Sequence, residues 1–268
     1  MKNETRYFSV NQATWNRKTL VHKESDFYDV PGFLRGNSTL HTYEKKALGD
    51  VRGKSLLHLQ CHFGLDTLSW VREGAQCMGI DISENAIETA RDLAHQATLQ
   101  VEFIGCNVLD THRHITQLFD IVFTSYGVIN WLPNLNDWAQ VIYKCLKPGG
   151  TFYIVEFHPI AWMFDDKSTS SEIMYAYEKK EAIYEEYQGT YTDMTAEVTS
   201  KEYTWNHGLG SVITALARTG LRIEFCREHN GSPYHIFPNL VRNKTDGYYY
   251  QSGQLYPLLF EIKALKTQ

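Results

Sequence analysis

From residue 55 onward, short apolar runs alternate with stretches of helical period. SLLHLQC (55–61), AQCMGID (75–81), VEFIGCN (101–107), FDIVFTS (119–125) and TFYIVEF (151–157) each have strand length. The connectors instead carry one apolar face. Ile87, Ala90, Leu93 and Ala94 form such a face after Ser83, a natural helix N-cap, and Glu84 complements the amino-terminal dipole. Leu135, Trp138, Val141, Ile142, Cys145 and Leu146 form a second face, which KPGG at 147–150 terminates. Helices with one apolar face need a sheet to cover, so the pattern predicts an α/β fold with a mostly parallel sheet and helices on both faces.

The flanking segments follow other rules. Residues 1–50 scatter Trp15, Phe27, Tyr28, Phe33 and Tyr43 among polar positions, which suits one or two helices packed over a pocket or a core edge, a helical lid segment. After His158, alternation in EIMYAYEKKEAIYEEY (172–187) and TYTDMTAEVTSKEYTW (190–205) predicts antiparallel strands, either extending the sheet or folding over its carboxyl edge; a helix over 172–186 is the competing reading. Leu209, Val212, Ile213, Leu216 and Ala217 restore a helical face that Gly220 stops, and LRIEFCREH (221–229) reads as a strand. A long turn-rich stretch over 229–253 precedes the last strand, expected within LYPLLFEIKAL (255–265).

Composition narrows the function classes. In 268 residues, 26 Lys and Arg stand against 31 Asp and Glu, a net charge of −5, which argues against an extended nucleic-acid footprint and for a small-molecule partner. No apolar run approaches the ~20 residues of a membrane span, and the polar opening lacks a signal peptide's apolar stretch, so a cytoplasmic location is expected. Five cysteines without a CxxC read as reduced thiols, with no metal site. His58 and His62 have i, i+4 spacing, but they span a strand and its turn rather than a helix. Composition leaves the oligomeric state open.

The chemistry-bearing residues gather at predicted strand ends. Asp81 ends the second strand, 17 residues after Gly64, where a carboxylate can accept hydrogen bonds from both hydroxyls of a ribose; capping the next helix is the plainer role. His158 ends the fifth strand, and an imidazole that titrates near neutrality is a candidate base.

SLLHLQCHFGLDTLSW, MGIDIS, FIGCNV, FDIVFTSYGVINWL and LKPGGTFYIVEFHP, in that order, resemble the motifs of class I S-adenosylmethionine-dependent methyltransferases. The resemblance covers about residues 50–160, with 207–265 consistent. It implies a Rossmann-like seven-stranded sheet of order 3-2-1-4-5-7-6 with the seventh strand antiparallel. It also implies a methyltransferase domain over 51–268 with a substrate-side insertion at 160–205, S-adenosylmethionine as cofactor and S-adenosylhomocysteine as product. On this resemblance Gln60, Cys61, Gly64, Asp66, Thr67, Asp81, Ile82, Asn107, Val108 and Ser125 bind the cofactor. Tyr126 and His158 are the catalytic candidates, and Tyr203, Trp205 and His207 shape the substrate wall. Methyl transfer of this kind rests mainly on alignment and desolvation.

One departure matters. The family's acidic-x-Gly-x-Gly-x-Gly loop reads His58-Leu59-Gln60-Cys61-His62-Phe63-Gly64, so a wider or differently directed loop is expected. Losing two glycines is harder to reconcile with a pyrophosphate than with a methionine moiety, which carries no phosphate. An NAD(P)-dependent oxidoreductase and a non-catalytic cofactor-binding protein are the alternatives.

Overall fold

The computed structural model describes residues 2–164 and 172–267. In chain order it contains α1 (Lys2–His22), α2 (Val30–Leu34), α3 (Thr42–Leu48), β1 (Ser55–Leu59), α4 (Leu65–Arg72), β2 (Gln76–Asp81), α5 (Glu84–Gln96) and β3 (Glu102–Gly105). Then come α6 (Thr111–His114), β4 (Phe119–Ser125), α7 (Leu135–Cys145), β5 (Leu146–Phe157), β6 (Lys179–Gln188) and β7 (Thr199–Asn206). The chain closes with α8 (Leu209–Arg218), β8 (Leu221–His229), β9 (Gly231–Ser232), β10 (Val241–Arg242), β11 (Tyr249–Tyr250) and β12 (Leu259–Lys266).

Seven strands form one sheet of order β3-β2-β1-β4-β5-β12-β8. Pairs among the first five are parallel, whereas β12 runs antiparallel to both β5 and β8, with Ile262 opposite Ile154 on one side and Cys226 on the other. Counted along the chain within this sheet, the order is the expected 3-2-1-4-5-7-6. Side-chain alternation sends Leu57, Leu59, Val122 and Ile154 to the face covered by α7 and α8, and Leu56, Phe123, Tyr153 and Val155 to the face under α3 and α4. Phe33, Leu68 and Phe103 join the apolar side of α5 in a third cluster. The Ser83 side chain caps α5 by accepting from Ala86 N at 3.1 Å, as the sequence suggests.

Several expectations shift. Three helices rather than one or two occupy residues 2–48. KPGG does not stand between α7 and β5; it lies within β5, after the helix ends at Cys145. The helical reading of 172–186 gives way to the hairpin β6–β7, a separate two-stranded sheet that does not extend the main one. Residues 165–171, part of the predicted insertion, lie outside the described residues. The last strand begins at Leu259 rather than Leu255. Among the described residues, no helix is long and apolar enough to cross a membrane.

Two contacts of α1 position the site. Asn11 acts like a strand residue toward β7: its Nδ2 donates to Tyr203 O and its Oδ1 accepts from Tyr203 N, both at 2.8 Å. Thr14 Oγ1 similarly donates to Lys201 O at 2.6 Å and accepts from Lys201 N at 3.2 Å. On another side of the helix, Gln12 Nε2 donates to Ile82 O at 2.9 Å, and Asn16 Oδ1 accepts from Ser83 Oγ at 2.7 Å. The helix therefore lies between the hairpin and the start of α5.

Candidate active site

Strand order reverses where β1 gives way to β4, and the segments leaving β1 and β4 there diverge and open a crevice. A cavity of about 390 Å³ fills it. Its floor is built from Gln60–Asp66 after β1, Asp81 and Ile82 at the end of β2, Asn107 and Val108 after β3, and Ser125–Val128 at the end of β4. Its roof comes from Phe8, Asn11 and Trp15 of α1, residues between Phe27 and His41, Tyr191 from the β6–β7 turn, and Tyr234.

The loop after β1 keeps the backbone that glycine would favour. Gln60, His62 and Gly64 have φ of +57°, +51° and +79°. The left-handed turns expected of a glycine-rich loop thus persist with two side chains added, so the change lies in what occupies the cavity rather than in the direction of the chain. Gly64 itself tolerates nothing larger, since a Cβ there would lie 2.6 Å from Phe103 Cζ and 3.1 Å from Ala90 Cβ.

Asp81 braces this loop. Its Oδ2 accepts from His62 N at 2.8 Å and its Oδ1 from Ser83 N at 2.9 Å. Each oxygen keeps capacity for a further donor. Burial pushes its pKa up to about 6 against the pull of those backbone donors. His62 is driven down to about 3 by burial and then by the charge of Lys18, so it is a neutral ring at pH 7. Its Nε2 and Gln60 Oε1 have no hydrogen-bond partner, while Gln60 Nε2 donates to Val128 O at 2.9 Å.

The turn after β4 is held from below. The buried Glu156 carboxylate at the end of β5 accepts from the backbone N–H of Gly127, of Val128 at 2.7 Å, of Ile129 at 3.2 Å and of Phe157 at 2.6 Å. That clamp sets Tyr126 in a left-handed conformation with its hydroxyl donating to Glu44 Oε2 at 3.2 Å. Burial raises Glu44 to about 7 and lowers His41, which lines the cavity, to about 4. Tyr126, Tyr234 and Phe27 form a continuous ring wall, with centroids 5.0 and 5.5 Å apart, and Tyr28 and Tyr191 join it through their rings, 5.0 and 5.6 Å from that of Phe27, with their hydroxyls bonded to each other.

Of the residues nominated from sequence, the cavity gathers Gln60, Cys61, Gly64, Asp66, Asp81, Ile82, Asn107, Val108, Ser125 and Tyr126. It does not gather the other five. Thr67 is buried, its hydroxyl 2.8 Å from His58 Nδ1. His158 lies outside the lining: its Nδ1 accepts from Ile160 N at 3.2 Å and its Nε2 sits 2.9 Å from Glu228 Oε1, which makes it part of the turn after β5. Burial lowers its pKa, and the Glu228 carboxylate opposes that fall. Tyr203 and Trp205 pack around Tyr7, at 4.7 and 5.3 Å between centroids. His207 Nε2 donates to Leu132 O at 2.7 Å, one layer behind the wall.

The sequence reading left Thr39, His41, Glu44, Tyr191 and Tyr234 without roles. The signals toward this set were regional: the segment before residue 50 read as a lid, the insertion at 160–205 holds Tyr191, and the long turn-rich stretch after 229 holds Tyr234. Glu156 had a signal of its own, a lone acid within the apolar run FYIVEF.

Comparison with known proteins follows the same lines. Residues 57–154 match the family described as methyltransferase domain. A ubiquinone biosynthesis O-methyltransferase from Klebsiella pneumoniae is 26% identical over 123 residues, 45% of this chain and 50% of that protein. The chain thus spans about half the length of the curated relatives it matches. Among solved structures, an S-adenosylmethionine-dependent methyltransferase from Mesorhizobium loti aligns with a TM-score of 0.55 at 19% identity, covering 87% of this chain and 99% of that one. A glycopeptide N-methyltransferase complexed with S-adenosylmethionine aligns with a TM-score of 0.55 at 14% identity, covering 86% and 88%. At such identities these structures establish the shared fold.

Proposed function

From the class I methyltransferase fold and the methyltransferase domain of residues 57–154, we propose that this protein transfers the methyl group of S-adenosylmethionine to a small-molecule acceptor. The observation that carries the reading is Asp81: a carboxylate at the end of β2, fixed by His62 N and Ser83 N, lining the crevice beside Gly64. Two neighbouring hydroxyls donating to its free positions match the sugar of an adenosyl group. Ile82, Asn107 and Val108 flank the place of the base. Gln60, Cys61, Gly64, Asp66 and Ser125 surround the remainder, and the unpartnered Gln60 Oε1 and His62 Nε2 supply polar contacts.

When bound, the sulfonium supplies an already activated methyl group. The chain's part is then to align the acceptor and to exclude water. Tyr126, Tyr234, Phe27, Tyr28 and Tyr191 supply the wall against which an acceptor lies. Among the described residues the cavity lining includes no Lys or Arg, which favours an acceptor without phosphate or carboxylate and counts with the net charge of −5 against nucleic acid. His41 Nε2 lies 3.3 Å from the Tyr234 hydroxyl on the cavity wall, whereas His158 stands outside the cavity. Helix α1 and the hairpin form the lid, and the reducing cytoplasm is the proposed location.

The test is calorimetry with S-adenosylmethionine and S-adenosylhomocysteine on the wild type and Asp81→Ala, with NAD in parallel. Micromolar binding of both sulfur ligands, weakened at least tenfold by the substitution, is the expected result. Binding of NAD without either sulfur ligand would return the chain to the oxidoreductase class.

A further inference from the structure

The acidic position at the end of the first strand holds His58 here. This ring is 2% exposed, and its Nδ1 lies 2.8 Å from Thr67 Oγ1. Its Nε2 has no partner, although the residue lines the cavity. Burial keeps the ring neutral, with a pKa of about 3. A buried nitrogen left without a partner calls for a ligand atom or a water at that place.

Asp66 is the adjoining anomaly. It stands in the first turn of α4, where a carboxylate usually caps the helix, yet the N-terminus of this helix has no side-chain cap. Its oxygens instead accept from two hydroxyls, Thr39 Oγ1 at 2.5 Å and Ser125 Oγ at 3.1 Å. A carboxylate has roughly four acceptor positions, so two stay open. Among the described residues no Lys or Arg lines the cavity that it faces, and burial raises its pKa. A buried carboxylate without a cation is costly, and a cationic ligand group removes that cost. Asp66 and Thr67 are consecutive, so the residue that fixes the His58 ring also sets the carboxylate beside it.

We propose that Asp66 and His58 together hold the amino-acid end of the cofactor, Asp66 receiving the α-ammonium and His58 Nε2–H the α-carboxylate. The inference rests on the cofactor reading above. In this arrangement the Thr67 hydroxyl donates to Nδ1, which leaves the proton on Nε2 facing the ligand. The negative charge missing from the first strand is thereby supplied from α4.

Titration calorimetry with S-adenosylhomocysteine and with 5′-methylthioadenosine, which lacks the amino-acid end, isolates this contact. The wild type binds the first more tightly. Asp66→Asn lowers affinity for S-adenosylhomocysteine about 10- to 100-fold and leaves methylthioadenosine binding unchanged, which also reports an intact fold. Thr67→Val, outside the cavity, produces a smaller loss with the same ligand selectivity. Equal losses for the two ligands, no loss for either, or equal wild-type affinity for both would overturn the assignment while leaving the cofactor reading intact. Wild-type protein that binds neither ligand would overturn both.

Discussion

At position 64 the chain meets two demands that only glycine satisfies together, a φ of +79° and a neighbour 2.6 Å from where a Cβ would sit. Gly64→Ala is expected to cost about 2–4 kcal/mol in denaturant unfolding, from left-handed strain plus overpacking against Phe103. Gln60 and His62 carry the same backbone strain, as do Asp29 and Tyr126; these are four of the six non-glycine residues with positive φ among those described, and all four line the cavity. Strain concentrated at one cavity marks where the fold yields stability to function. Asp81 adds a titration. Its folded pKa of about 6 lies above the ordinary 3.8 of an aspartate, so the unfolded chain releases this proton first. The contribution is fully present below 3.8, and ligand-free stability drops as pH rises through 6. Hydroxyl donors favour the charged carboxylate, so affinity for S-adenosylhomocysteine should rise across the same window and fall below it. Calorimetry between pH 5 and 7.5 checks this, with Asp81→Asn expected to flatten the profile. The carboxylate's place at a strand end was legible from spacing; the backbone at 60 and 62 was not, because Gln and His adopt left-handed φ only when surrounding packing imposes it.

Helix α1 reads as weakly patterned, and its partners explain why. A helix against an apolar core needs an apolar stripe, whereas Asn11 and Thr14 satisfy the backbone of β7 with polar side chains. Lys18 follows the same logic at higher cost. Its side chain is 2% exposed, and its Nζ lies 2.7 Å from Glu202 Oε2 and 5.2 and 5.4 Å from the ring centroids of Trp15 and Trp131. Lys18→Ala should destabilise the fold by about 3–5 kcal/mol in urea unfolding by leaving Glu202 buried without its cation, and replacing both partners by apolar residues should recover much of that loss. Recovery absent from the double variant would mean that Lys18 acts through its ring contacts instead. The alternation read over 172–187 and 190–205 overlaps β6 and β7, which begin later, at Lys179 and Thr199, but the main sheet was not the hairpin's only available partner, and sequence spacing does not say which one a strand chooses.

At the scale of the molecule, the sheet and the helices on its two faces were readable because each apolar run is local and each connector shows its period within a few turns. The roofed cavity was not, because its roof is held by residues such as Asn11 and Tyr203, 192 positions apart. If that roof is the lid proposed above, limited proteolysis should cut within α1 or the β6–β7 turn in free protein, and S-adenosylhomocysteine should suppress those cuts. Unchanged cleavage would make the roof a fixed wall.

The same long-range pairing imposes a schedule on synthesis. Asn11 and Thr14 leave the ribosome 192 and 187 residues before Tyr203 and Lys201, which at about 5–20 residues per second is a wait of about 10–40 s. Over that interval the five parallel strands can assemble, but the groups that α1 offers to β7 have only water to bind. The roof therefore waits for β7 and then for Tyr234, and a chain stalled before residue 199 would carry the five parallel strands without β8, β12 or a roof over the ligand.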